Sequence, residues 1–97
     1  MKPGTRDIKA YIQFTEDELE ILQANTHYMA ESFGLDHRIE RLKGKRKVGF
    51  YIWDLECLEC AIDFIKKDEE YIEDAEILEE LENKVKTAMK VIEGSKD

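Results

Sequence analysis

Hydrophobic positions recur along this chain with two different periods. Over residues 8 to 14, Ile8, Ala10, Ile12 and Phe14 alternate with Lys9, Tyr11 and Gln13. A period of two puts one set on each face of a strand. So short a strand is not stable alone and needs a partner, in this chain or in another.

At residue 15 the period changes. Thr15 stands three residues before Glu18, a capping box in which hydroxyl and carboxylate each accept from the other residue's amide. Phe14 and Leu19 occupy the positions of a hydrophobic staple, and Glu16, Asp17 and Glu18 suit the positive end of a helix dipole. A helix is expected over residues 15–33. Leu19, Leu22, Thr26, Met29, Ala30 and Phe33 form its main stripe, Ile21, Ala24 and Tyr28 a weaker one, and Gly34 is the natural stop.

Residues 36–47 read as a short helix and a basic loop. Asp36 can cap the helix, which carries Ile39 and Leu42, and Gly44 breaks it within a run of cations. The next segment is strongly apolar. Tyr51, Leu55, Leu58, Ile62 and Ile65 keep three-four spacing, so a helix is expected over residues 49–67. A strand through Val48 to Trp53, with Asp54 capping a later helix, is the other reading. Trp53, Cys57, Cys60 and Phe64 form a second stripe on this helix, so it is either central or lends one face to a second chain. A last helix is expected over residues 70–93. Leu78, Leu81, Val85, Ala88 and Ile92 mark its buried face, and it should lie antiparallel on the preceding helix.

The expected fold is therefore mainly α: one domain of residues 1–97, a small three-helix bundle with an antiparallel C-terminal helical hairpin. Residues 1–14 add a short N-terminal strand or extended arm. Composition agrees with this: 42% of residues are hydrophobic, 39% are charged and one is proline. That balance excludes a disordered chain and disfavours a turn-rich sandwich. No apolar run approaches the roughly 18 residues of a membrane span, and no apolar leader follows Met1. A soluble, cytoplasmic protein without a membrane partner is the expectation.

Charge is unevenly placed. Residues 1–50 carry a net +1 and residues 51–97 a net −9. Arg38, Arg41, Lys43, Lys45, Arg46 and Lys47 are six cations within ten positions, next to Phe50, Tyr51 and Trp53. A phosphate backbone attracts such a cluster and bases stack on such rings. An intramolecular role is the competing reading, because residues 68–82 hold nine acids and no base.

Little else suggests chemistry. Cys57 and Cys60 have the spacing of a redox pair but fall inside a helix on an apolar face, so they read as two small buried thiols in a reducing compartment. His27 and His37 stand at no ligand spacing, so neither a metal nor a cofactor is expected. Glu56, Glu59 and Asp63 share a helix side that Lys66 and Lys67 partly neutralise, which reads as a solvated stripe. There is no glycine-rich phosphate loop and no nucleophile elbow. No catalytic residue is assigned, and the chain is expected not to be an enzyme.

The first 42 residues resemble the ribbon-helix-helix DNA-binding proteins: strand residues 8–14, the helix capped at Thr15, the Gly34 turn, and a short helix from Asp36 through Leu42. That resemblance implies two chains pairing their strands in the major groove. Lys9, Tyr11 and Gln13 would read bases, and Ile8, Ala10, Ile12 and Phe14 would face the core. The family's second helix is longer and uninterrupted, whereas here Gly44 cuts it short.

Two functions follow as expectations. The first is a non-enzymatic protein-interaction or regulatory domain, homodimeric through helix packing, with Trp53, Cys57, Cys60 and Phe64 at the interface and room for another protein partner. The alternative is a DNA-binding regulator of ribbon-helix-helix type that uses Lys9, Tyr11, Gln13, Arg38, Arg41, Lys43, Lys45, Arg46 and Lys47. Nucleic acid is the less favoured partner of the two at this point.

Overall fold

A computed structural model describes residues 8–29, 34–43 and 46–94. Among these, strand β1 (Ala10–Ile12) leads to helix α1 (Glu16–Ala24) and a 3₁₀ turn (Thr26–Met29). Helix α2 (Leu35–Arg41), strand β2 (Val48–Phe50) and helix α3 (Ile52–Lys66) follow. A second 3₁₀ segment (Glu69–Asp74) then leads into helix α4 (Ala75–Gly94). The protein is mainly helical, with a two-stranded sheet on its N-terminal side. None of the described helices is long and apolar enough to cross a membrane.

The alternating segment behaves as its pattern requires. Ala10, Ile12 and Phe14 are buried, while Lys9, Tyr11 and Gln13 are exposed. Its partner comes from the same chain: β1 pairs antiparallel with β2, Ala10 opposite Phe50, Tyr11 opposite Gly49 and Ile12 opposite Val48. Phe14 and Phe50 meet edge to face beneath the ribbon, with ring centroids 5.9 Å apart. The helix expected from residue 49 is thus corrected. Val48 and Phe50 take the extended form because Ile12 and Ala10 offer a ladder, and α3 starts at Ile52. Asp54 supports that start from inside the first turn, its carboxylate accepting from the Tyr51 amide at 3.1 Å.

The Thr15 capping box is present in both directions. The first helix nonetheless stops at Ala24, well short of residue 33. Asn25 ends it: the buried side-chain amide donates to the Ile21 carbonyl at 2.8 Å and to the Tyr71 hydroxyl at 3.0 Å. Asparagine competes with the helical ladder in this way. Gly34, expected as a stop, instead precedes α2 in the left-handed conformation at φ 73°, where a side chain would be strained. The predicted stripe residues Ala30 and Phe33 lie outside the described residues. The last helix begins at Ala75 rather than residue 70, because Asp68 caps a tighter 3₁₀ turn by accepting from the Glu70 amide.

Helices α3 and α4 form the expected antiparallel hairpin. Leu55, Leu58, Ala61 and Ile62 pack with Leu81, Val85, Ala88 and Ile92, while Ile65 meets Leu78 and Ile21 near the connection. All five positions of the α4 stripe are buried. Each large side chain there contributes about 1.5–3 kcal/mol relative to exposure. Helix α1 is tied to α4 by Lys84, whose ammonium donates to the buried Glu18 carboxylate at 2.6 Å and to the Gln13 carbonyl at 3.1 Å.

Candidate anion-binding site

The β1–β2 pairing brings Lys9 to the cations that flank β2. Lys9, Arg38, Arg41, Lys43, Arg46 and Lys47 line one concavity of about 620 Å³, together with Leu42, Val48 and Gly49. Among the described residues that lining holds six cations and no carboxylate.

One of the six is fixed by the fold. Arg38 donates to Asp54 at 3.0 Å and to the Gly49 carbonyl at 2.7 Å, and its guanidinium lies 5.4 Å from the centre of the Phe50 ring. Asp54 is almost fully buried, so Arg38 compensates an interior charge while forming the wall of the concavity. The end of α2 is held as well. The Gln23 side-chain amide donates to the carbonyls of Ile39 at 3.1 Å and Leu42 at 3.0 Å, which leaves the last turn capped from α1.

Arg41, Lys43, Arg46 and Lys47 are exposed and form no ion pair among the described residues. The acidic stretch of residues 68–82 does not meet them. Its described ion pairs run from Lys66 and Lys86 to Glu82, at 3.2 and 3.4 Å. Partial burial pushes the Glu82 carboxyl up, but these two ammonium groups more than offset it and hold the group below the usual carboxylate range.

No family model matches this chain, and searches of curated proteins and of solved structures found no match.

The aromatic side chains beside the concavity are ordered by contact. Lys9 places its ammonium 5.0 Å from the centre of the Tyr51 ring. Tyr51 stacks on Trp53 with centroids 4.6 Å apart and planes within 16°. Trp53 then forms one end of a second concavity, also about 620 Å³, with His27, Tyr28, Glu56, Cys57, Cys60 and Phe64. At its other end Tyr28 and Phe64 stack at 5.2 Å. Trp53 and Cys57 are half-buried, and Cys60 and Phe64 are exposed. This corrects the reading of Cys57 and Cys60 as two buried thiols: Cys57 donates to the Tyr28 carbonyl at 3.9 Å while Cys60 faces outward, and neither forms a disulfide.

The four residues expected at an interface therefore share one trough, and six of the nine expected at nucleic acid share one concavity. Lys45 lies outside the described residues. Tyr11 and Gln13 face elsewhere, toward a shallower depression with Asn83, Lys84 and Thr87. Glycine at position 49 lets Tyr11 and Lys9 lie flat across the ribbon. A Cβ there would stand 3.0 Å from the Tyr11 ring and 3.1 Å from the Lys9 stem. Sequence spacing missed Gln23 and Gly49, and it missed the stacking of Tyr28 on Phe64 and the pairing of Asp54 with Arg38, which depend on contacts across the fold. It also missed Asp36, His37 and Glu40, which bring one potential ligand atom each within 4.8 Å of one another. They sit at the surface of a seven-residue helix, and nothing further points to an ion there. Of the carboxylate set, Glu56 and Asp63 are exposed and Glu59 is half-buried.

Proposed function

We propose that the chain is a non-enzymatic binding module that holds the phosphate backbone of a nucleic acid in the basic concavity. The observation that carries this reading is the lining itself: among the described residues, six cations, no carboxylate, and no ion pair with the chain's own acidic stretch. Clustered like charges cost free energy unless a counter-ion relieves them, and a phosphate backbone is the counter-ion that releases its own condensed cations on binding. The acidic C-terminal half repels the same ligand, so contact is confined to one face. Both cysteines lack a disulfide, which suits the cytoplasm.

The ribbon-helix-helix mode is the less supported form of this reading. Its strand pairs with that of a second chain, whereas β1 takes its partner from β2. Binding of oligonucleotides at low salt, with and without Arg46→Glu, tests the proposal. The charge reversal should weaken binding strongly, while Lys86→Glu on α4 should leave it near wild type. Absence of binding by the wild-type protein would refute it.

One observation favours the second reading, a protein interface with a second copy or another chain. Phe64 is 54% exposed at the end of the trough that Trp53, Cys57 and Cys60 share. Aromatic anchors of this kind dominate interfaces. Mass by light scattering tests it: a dimer that Phe64→Glu dissociates supports it, and a monomer at all concentrations refutes self-association.

A further inference from the structure

We infer that the ligand is single-stranded and that at least one base stacks on Trp53; this rests on the phosphate-backbone reading above. The basic concavity and the aromatic trough are physically joined. Lys9 belongs to the basic concavity and covers Tyr51, Tyr51 stacks on Trp53, and Trp53 opens the aromatic trough. A chain with its phosphates among Arg41, Lys43, Arg46 and Lys47 reaches the Tyr51–Trp53 pair by way of Lys9.

A duplex cannot use this arrangement. Its bases show only their edges, while stacking needs their faces. The ribbon is also ill-suited to a groove. Each strand is three residues long, and two of the outward side chains lie along the ribbon, Lys9 against Tyr51 and Tyr11 against Gly49. The trough is concave and aromatic at both ends, and at about 620 Å³ it falls in the range of small-ligand pockets. A positive groove continued by aromatic rings is the physical pattern of single-strand recognition.

Trp53 is the chain's single tryptophan, so its fluorescence reports on this contact alone. The probes are oligodeoxythymidylate of about 12 nucleotides, within the ~4–16-nucleotide sites of small single-strand binders, a duplex of equal length, and inorganic polyphosphate. The oligodeoxythymidylate should bind tightest and quench Trp53, and polyphosphate should bind without quenching. Trp53→Ala should weaken oligodeoxythymidylate binding roughly tenfold and leave polyphosphate binding unchanged, with Trp53→Phe restoring most of the loss. Tyr51→Leu gives an independent variant should Trp53→Ala alter the circular dichroism. Equal binding of single strand and duplex without quenching would overturn the inference and leave the phosphate site standing. Failure of all three probes to bind would overturn both. A Trp53→Ala variant that changes only the protein's own mass would assign the trough to a second copy and overturn the inference.

Discussion

Replacing Lys84 by methionine should destabilise the protein far more than its surface position suggests. The Glu18 carboxylate beneath it is 1% exposed. One oxygen accepts from the Thr15 amide at 2.9 Å and from Lys84 at 2.6 Å, and the other is buried without a hydrogen-bond partner among the described residues. Lys84→Met thus strands a charge that has little other solvation. Removing one member of a buried pair costs about 3–5 kcal/mol. The Lys84 side chain is 34% exposed, so water reaches part of the gap and the loss falls to about 2–3 kcal/mol. For a chain of this size that lowers Tm by roughly 10–20 °C. Urea titration followed by far-UV circular dichroism measures it directly. The double variant Glu18→Gln/Lys84→Met should be more stable than Lys84→Met by about 1 kcal/mol or more, because the neutral amide keeps the Thr15 bond without the stranded charge. A Lys84→Met protein within about 0.5 kcal/mol of wild type, or strictly additive losses in the double variant, would refute this reasoning.

Three further outcomes are expected. Arg38→Ala should cost about 2 kcal/mol, reduced from the fully buried case because its side chain is 40% exposed; Arg41→Ala and Arg46→Ala should stay within about 0.5 kcal/mol, and equal losses in all three would remove the distinction between wall and binding cations. Tyr71→Phe should cost about 1 kcal/mol by removing the hydroxyl that accepts from Asn25, with Asn25→Ala costing more because the Ile21 carbonyl loses its donor too. The Glu82 carboxyl is held below its unfolded value, so it adds stability above the usual carboxylate range and loses it as pH falls through the lowered folded value. Glu82→Gln should therefore flatten the urea midpoint against pH on the acid side; parallel curves for variant and wild type would contradict the assignment.

Local signals in the sequence survive folding, and signals that depend on distant partners do not. Thr15 and Glu18 form both bonds of the capping box because the motif is complete within four residues. The α4 stripe from Leu78 to Ile92 is buried throughout because its period defines a face. Val48 to Phe50 misled because their conformation is decided by Ala10 to Ile12, far away along the chain. Asn25 ends α1 through Tyr71, which helix periodicity does not register. The basic cluster was visible in composition, but its concave shape comes from the strand register that adds Lys9 and from the Asp54 and Gly49 contacts that fix Arg38. The charge balance suggested that residues 68–82 would neutralise it, yet Glu82 takes its partners from α3 and α4 instead.

The most direct test of the binding site is the salt dependence of single-stranded oligonucleotide affinity, wild type against Arg41→Ala/Arg46→Ala. The four exposed cations Arg41, Lys43, Arg46 and Lys47, which form no ion pair among the described residues, predict a slope of log affinity against log salt near −3, at about 0.7 per neutralised phosphate. The double variant should lose about 1.4 of that slope. Affinity that does not respond to salt, or an unchanged slope in the variant, would contradict a phosphate backbone seated in the basic concavity.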